Sequence, residues 1–268
     1  MILRMRQQLN LNKRVIAKRS LGQNFIHSDS FLSKLSKKIT TNSNTDIIEI
    51  GPGTGSLTEY LKRKQFKNLF LIEKDFELSK TLHEKYKNEK NIKVYNKDAL
   101  TFNLSNISRS EKIIIVGNLP FNVSSQLLIN WISYDKWPPF YNKMYLMFQK
   151  ELGRRIISKN NNKSYGKLSV LSQSRCEVKE LIEAPSNIFY PKPKVDGIVL
   201  EFTPTDKFID IDFEKLKIIL KTAFENRRKK IKNSLNDYSF FFNNWEIEKN
   251  LRPENLEVEK YCFLAKKN

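Results

Sequence analysis

The segment Gly117-Asn118-Leu119-Pro120-Phe121 ends a nearly all-apolar run, Lys112–Asn118, and gathers groups that can act on an amine attached to an aromatic ring. Such an amine is a poor nucleophile because its lone pair is delocalised into the ring. Acceptors placed at its N–H groups push it towards a tetrahedral, reactive nitrogen. The side-chain oxygen of Asn118 supplies one acceptor. The Leu119 carbonyl supplies another, held outward because a residue before proline avoids the helical region. Phe121 offers a face for stacking a base, a contact worth about 1–3 kcal/mol in single strands. Positioning of this kind requires no strong general base. Taken alone, the segment reads equally well as a proline-capped turn with Phe121 in the core, so its weight comes from its neighbours.

The neighbours point the same way. Ile47-Ile48-Glu49-Ile50-Gly51-Pro52-Gly53-Thr54-Gly55-Ser56-Leu57 runs from a buried strand through a glycine-rich turn into a helix. Glycines allow close backbone approach, and the helix start presents free N–H groups, as in nucleotide-type cofactor loops. The spacing is G-x-G-x-G, with Ser56 where a dinucleotide fingerprint carries its third glycine. Glu73 ends the next strand, 22 residues after Gly51, where a carboxylate can accept both hydroxyls of a ribose. Asp98 closes the following strand and can receive an adenine amino group. No second phosphate-binding element accompanies them, so the combination favours S-adenosylmethionine over a nicotinamide dinucleotide.

These positions can form one ledge only if their strands lie side by side. Strands are expected at Asp46–Ile50, Leu69–Glu73, Ile92–Asn96, Lys112–Asn118, Met144–Gln149 and Gly197–Phe202. Helices are expected at Ser56–Gln65, Phe76–Lys87 and Val123–Ser133. The alternation predicts an α/β fold of the Rossmann-like type, with a mainly parallel sheet covered on both faces. Near Thr203-Pro204-Thr205-Asp206 the pattern changes, and Phe213–Phe224 and Lys229–Leu235 read as helices with no strand between them. The expected division is residues 1–204, with a basic arm over 1–28, and a small helical module over 205–268.

Composition narrows the function. The 268 residues carry 48 Lys+Arg against 29 Asp+Glu, a formal charge of +19, which suggests a polyanionic partner. A lysine-rich proteome would also raise the count. However, residues 1–28 hold six basic residues and no acidic one, which favours nucleic acid. Arg227, Arg228, Lys229, Lys230 and Lys232 form the densest basic cluster and are candidate phosphate contacts. The longest apolar runs, such as Ile113–Val116, are far below the roughly 18 residues of a membrane span. No secretory signal is visible, and two cysteines, Cys176 and Cys262, make no disulfide framework, which fits a reducing compartment. With His27 and His83 the only histidines, no metal site is expected and a Ser-His-Asp hydrolase has little to draw on.

The chain as a whole resembles the ribosomal RNA adenine N6,N6-dimethyltransferases of the bacterial KsgA type. The resemblance spans about Lys18 to Ala265 and rests on several motifs. Gly22-Gln23-Asn24-Phe25 looks like the family's N-terminal motif, while Glu49–Thr58 and Asn118–Ser124 look like its cofactor loop and catalytic motif. Phe189–Asp196 resembles its F-x-P-x-P-K-V-D segment, Ala223–Leu235 its A-F-x-x-R-R-K-x-x-x-N-S-L signature, and Arg252-Pro253-Glu254 a further match. The resemblance implies a seven-stranded methyltransferase sheet, a helical C-terminal domain, and a substrate of two adjacent adenosines in a hairpin loop near the 3′ end of small-subunit rRNA, each methylated twice. It places Asn24, Ile26, Gly51, Glu73, Asp98 and Asn118 around S-adenosylmethionine, and Asn118, Leu119, Pro120 and Phe121 around the target base. It further implies action in the bacterial cytoplasm on the small subunit or its precursor, as a monomer. The departures are Phe121, commonly tyrosine in the family, and Val123, commonly isoleucine. Two alternatives stand beside it: the related resistance enzymes acting on a large-subunit rRNA adenosine, and a ribosome-assembly factor in which methylation is dispensable. A nicotinamide oxidoreductase is more remote, since it leaves Asn118–Phe121 and the basic charge unexplained.

Overall fold

The computed structural model describes residues 17–18, 21–134, 136–244 and 246–267. Most of the expected basic arm, residues 1–16 with Arg19 and Ser20, lies outside the described residues.

Period-2 alternation of apolar residues builds the sheet. In β2 (Thr45–Ile50), β3 (Asn68–Glu73) and β5 (Lys112–Gly117), Ile48, Ile50, Phe70, Ile72, Ile113 and Ile115 face one core. Ile47, Leu69, Leu71, Ile114 and Val116 face the other. A strand buried on both faces has no polar side to offer, which is why these segments read as continuous apolar runs. With β4 (Ile92–Asn96), β6 (Lys143–Gln149), β7 (Cys176–Ala184) and β9 (Gly197–Pro204), they form a seven-stranded sheet of order β4-β3-β2-β5-β6-β9-β7. The first five pair in parallel, and β9 pairs antiparallel with both β6 and β7. The strand order reverses between β2 and β5, and a crevice opens at the carboxyl ends of strands at such a switch point.

Helices cover the sheet, two of them with side-chain N-caps. They include α1 (Asp29–Lys38), α2 (Ser56–Leu61), α3 (Phe76–Tyr86) and α4 (Ser124–Ile132), followed by α5 (Lys150–Ile156) and α6 (Lys167–Arg175). Ser28 caps α1 by accepting from the Phe31 N–H, and Asp75 caps α3 by accepting from Glu77 and Leu78. After β9 come α7 (Phe213–Glu225), α8 (Ile231–Ser234), α9 (Phe241–Asn244) and α10 (Val258–Leu264). Phe213, Leu216, Ile219, Leu220 and Ala223 of α7 join the same core as Ile48 and Ile115.

Several features depart from the sequence expectation, among them the helices Lys150–Ile156 and Lys167–Arg175 and the end of the helix from Ser56 at Leu61 rather than Gln65. The expected helix over Lys229–Leu235 is a single turn, because Lys230 is extended (φ −67°, ψ 150°) and Leu235 has left the helical region (φ −126°). β7 was hidden because it is an edge strand whose sequence, CEVKELIEA, is largely solvated and bulged between Glu180 and Ile182, so it lacks apolar periodicity. A second, two-stranded sheet pairs β1 (Phe25–Ile26) antiparallel with β8 (Phe189–Tyr190). No helix among the described residues is long and apolar enough to cross a membrane.

Candidate active site

At the switch point lies a cleft of about 1100 Å³, open solvent included. Asn24, Ile26, Gly51, Glu73, Asp98, Asn118, Leu119, Pro120 and Phe121 all line it. The sheet brings them together: Gly51 follows β2, Glu73 ends β3, Asp98 follows β4, and Asn118 follows β5. The glycine-rich turn keeps its shape through left-handed backbone at Gly51 (φ 64°), Gly53 (φ 59°) and Gly55 (φ 79°), which side chains rarely tolerate. A Cβ on Gly53 would lie 2.9 Å from the Phe25 ring, so the ring and the turn pack at a distance only glycine permits. Glu73 clamps the turn: one carboxylate oxygen accepts from the Gly53 N–H (3.0 Å), the other from the Asp75 N–H (2.9 Å). Burial raises the Glu73 carboxyl above its usual range, and these N–H groups pull against that rise.

The far end of the ledge carries Asp98. One of its oxygens accepts from the Leu100 N–H (3.0 Å), and the other pairs with Lys74 Nζ (2.8 Å). Partial burial works upward on this carboxyl, but the Lys74 ammonium and the Leu100 N–H outweigh it and hold Asp98 below the usual range. An ionised acceptor at that place suits an exocyclic amino group. Each carboxylate oxygen has two lone pairs, so Glu73 and Asp98 retain acceptor capacity after these bonds. A turn held open by three glycines, two carboxylates beyond it and a helix start after it form a donor and acceptor set that fits an adenosine-bearing cofactor.

At the other end, the Asn118 amide nitrogen donates to the Asn24 carbonyl (2.8 Å). That bond assigns the two halves of the amide: nitrogen towards the backbone of residue 24, oxygen free to accept. Asn24 is itself steadied, its Nδ2 donating to the Gly22 carbonyl (3.2 Å). Among the described residues no donor is bonded to the Leu119 carbonyl. Phe121 is half-buried and meets the Phe189 ring edge-on, centroids 6.4 Å apart at 67°. Val123 follows at the head of α4 and also lines the cleft.

Several contributors carried no separate signal in the sequence. Glu49 lies fully buried beneath the turn, accepts from the Thr58 hydroxyl (2.7 Å), and has its carboxyl pushed up to about 8, chiefly by burial. The β1–β8 pairing sets Phe189 beside Phe121 and ties the N-terminal motif to a segment more than 160 residues later. Periodicity cannot find a two-residue strand pair.

The basic cluster stands apart from the cleft. Arg227 is used internally: its Nε pairs with Glu254 (2.6 Å) and its Nη2 donates to the Lys163 carbonyl. Arg228, Lys229, Lys230 and Lys232 are exposed, and none has a carboxylate partner among the described residues. Among the described residues no group of three or more His, Cys, Asp or Glu could hold a metal ion.

A family model described as ribosomal RNA adenine dimethylase matches residues 15–267. A protein named ribosomal RNA small subunit methyltransferase A from Pelagibacter ubique is 40% identical over 259 residues, covering 94% of this chain and 97% of its own. One of the same name from Ehrlichia ruminantium is 38% identical, covering 96% and 99%. Among solved structures, a dimethyladenosine transferase from Plasmodium falciparum superposes with a TM-score of 0.77 at 22% identity, covering 90% of this chain and 95% of that one. The 23S rRNA methyltransferase ErmE superposes at 0.67 and 20% identity, covering 90% and 97%. At those identities the two structures establish the shared fold.

Proposed function

The chain belongs to the ribosomal RNA adenine dimethylase family, and from that premise we propose that it transfers methyl groups from S-adenosylmethionine to N6 of two adjacent adenosines, twice each, in the 3′-terminal hairpin loop of small-subunit rRNA. The observation that carries the reading is the Asn118 amide. Its nitrogen is committed to the Asn24 carbonyl, so its oxygen is left to accept from an adenine N6–H at the end of the cofactor ledge.

The cofactor supplies an electrophilic sulfonium methyl. The chain supplies the rest. Glu73 accepts the ribose hydroxyls, Asp98 the adenine amino group, and Gly51, Asn24 and Ile26 shape the pocket between them. The target base leaves its stack at a cost of a few kcal/mol and rests against Phe121 and Pro120. Asn118 Oδ1 and the Leu119 carbonyl accept the two N6–H groups, localise the lone pair on nitrogen and aim it at the methyl. Each transfer forms an N6–methyl bond as the sulfonium–methyl bond breaks and releases one N6 proton to solvent; after the first a single N–H remains, and one acceptor suffices to hold it for the second. Phenylalanine in place of tyrosine at 121 keeps the stacking face and loses only a hydroxyl.

Residues 1–204 form the catalytic domain in this reading and 205–268 the ribosome-contacting module. Arg228, Lys229, Lys230 and Lys232 contact phosphates, with Arg227 behind them holding the Lys163 loop. The protein works as a monomer in the cytoplasm, on the small subunit or its precursor, coupled to that subunit's biogenesis. The small-subunit assignment is supported by relatives of that name at 38–40% identity along nearly the whole chain.

The test uses methyl-labelled S-adenosylmethionine and ribosomal subunits from a strain lacking the modification, followed by nuclease digestion and nucleoside identification. The expected product is N6,N6-dimethyladenosine confined to the 3′-terminal hairpin of small-subunit rRNA. Label in large-subunit rRNA would move the chain to the resistance-type reaction. Tight subunit binding without label would leave an assembly factor.

A further inference from the structure

Asp75 is not among the residues lining the cleft, yet its side chain is almost fully buried and all of its acceptor positions are engaged. One oxygen caps α3, accepting from Glu77 (3.0 Å) and Leu78 (3.5 Å). The other receives Lys18 Nζ (2.8 Å) and Gln23 Nε2 (3.1 Å). Lys18 and Gln23 are also bonded to each other, the Lys18 N–H donating to the Gln23 side-chain oxygen (2.8 Å). The Asp75 N–H donates to Glu73, whose second oxygen holds Gly53. A continuous path therefore runs from Lys18 and Gln23 through Asp75 to Glu73 and the glycine turn.

The segment that Asp75 grips is the wall of the cleft. Gln23, Asn24, Phe25 and Ile26 line it, the Phe25 ring packs on Gly53, and the Asn24 carbonyl holds the Asn118 amide. The β1–β8 pairing fixes this segment at its C-terminal end, and the Lys18–Gln23–Asp75 cluster fixes its N-terminal end.

We propose that Asp75 is a positioning residue for the cofactor, its carboxylate latching Lys18 and the wall segment 21–26 at the cleft through the Lys18 and Gln23 side chains. This rests on the cofactor assignment made above. The latch acts on binding: with the segment docked beforehand, the cofactor meets a finished wall, and without the latch part of its binding energy goes into ordering that wall. Once cofactor saturates the site the wall is in place either way, so the effect falls on affinity more than on turnover.

Asp75→Asn isolates the charge, because asparagine caps a helix about as well as aspartate and the backbone N–H to Glu73 is kept. Lys18→Met removes the other end of the latch at a half-exposed side chain with no part in the core. Calorimetric titration with S-adenosylhomocysteine, which needs no RNA, should show each variant binding about fivefold to tenfold more weakly. The double variant should be no weaker than Asp75→Asn alone. With labelled S-adenosylmethionine and small subunits, KM for the cofactor should rise by a similar factor and kcat should fall far less. Melting temperatures without ligand should stay close to that of the unmodified protein. Unchanged titrations in both single variants, additive losses in the double variant, or a loss confined to kcat would each overturn the latch. Failure of the unmodified protein to bind S-adenosylhomocysteine would instead overturn the cofactor assignment, and the latch with it.

Discussion

The strand-end ledge and the basic run Arg227–Lys232 are both dense in residues of functional type, and the fold holds them in opposite ways. On the ledge, each polar side chain is fixed by backbone before any ligand arrives: Glu73 by Gly53 and Asp75, Asp98 by Leu100, Asn118 by Asn24. In the basic run, Arg227 is fixed by Glu254 and the Lys163 carbonyl, Lys230 reaches the Asn250 side-chain oxygen at the surface, and Arg228, Lys229 and Lys232 are exposed with no carboxylate partner among the described residues. Chemistry at one atom needs the first arrangement, because sub-ångström placement decides the rate. Attraction to a phosphate chain tolerates the second, since it depends on the number of charges more than on their exact coordinates.

The sharpest way to break this contrast is at Asn118. Asn118→Ala should cut methyl transfer about 10²–10³-fold, the usual cost of removing one preorganised hydrogen-bonding partner of a transition state. S-adenosylhomocysteine affinity, held mainly by the other strand ends, should change far less. A comparable loss in both would place Asn118 among the cofactor contacts alone.

Beneath the ledge, Glu49 tests how far preorganisation extends. Its carboxyl sits near 8 in the folded protein against an ordinary 4.5, so between those values the native state holds a proton that the unfolded chain has released. Stability present below about pH 4.5 is therefore lost as pH rises, and the loss is complete above about pH 8. Glu49→Gln keeps an acceptor for Thr58 and removes the titration. The variant should gain on the unmodified protein from pH 5 to pH 8, by on the order of 3 kcal/mol at the upper end. Parallel denaturation midpoints across that range would show that Glu49 does not titrate there.

The basic run divides on the same logic. Arg227→Ala should cost about 1–2 kcal/mol of folding stability by freeing Glu254 and the Lys163 carbonyl. Lys229→Ala should leave stability within about 0.5 kcal/mol while weakening subunit binding and lowering its salt-dependence slope by about one. Identical behaviour of the two would erase the distinction between a structural and a contacting cation. Smallest of all, Phe121→Tyr should leave kcat within about threefold, because stacking depends on the ring face that both residues share.

How much of this was legible in the sequence follows from the range of the interactions. Ile47–Leu57, Glu73, Asp98 and Asn118–Phe121 announced themselves because strands buried on both faces are apolar throughout and their ends must carry the functional groups. The mainly parallel sheet followed from the same alternation, whereas the order of its strands came only with the structure. β7 did not, because an exposed edge strand has no hydrophobic period. Neither did β1–β8, since two residues are too few to carry a pattern. Arg227 looked like its neighbours in the run, and only Glu254, 27 residues later, separates it from them. Glu49 appeared merely as a letter of the glycine motif; its burial depends on Thr58 and the whole sheet above it.

The pairing of Phe25–Ile26 with Phe189–Tyr190 has a consequence for the order of assembly. A contact closing a loop of that length forms late, after local helices and neighbouring strands are in place. The wall of the cleft thus waits for β8, and a nascent chain ending before residue 189 would display the glycine turn and Asn118 without the partner strand of that wall.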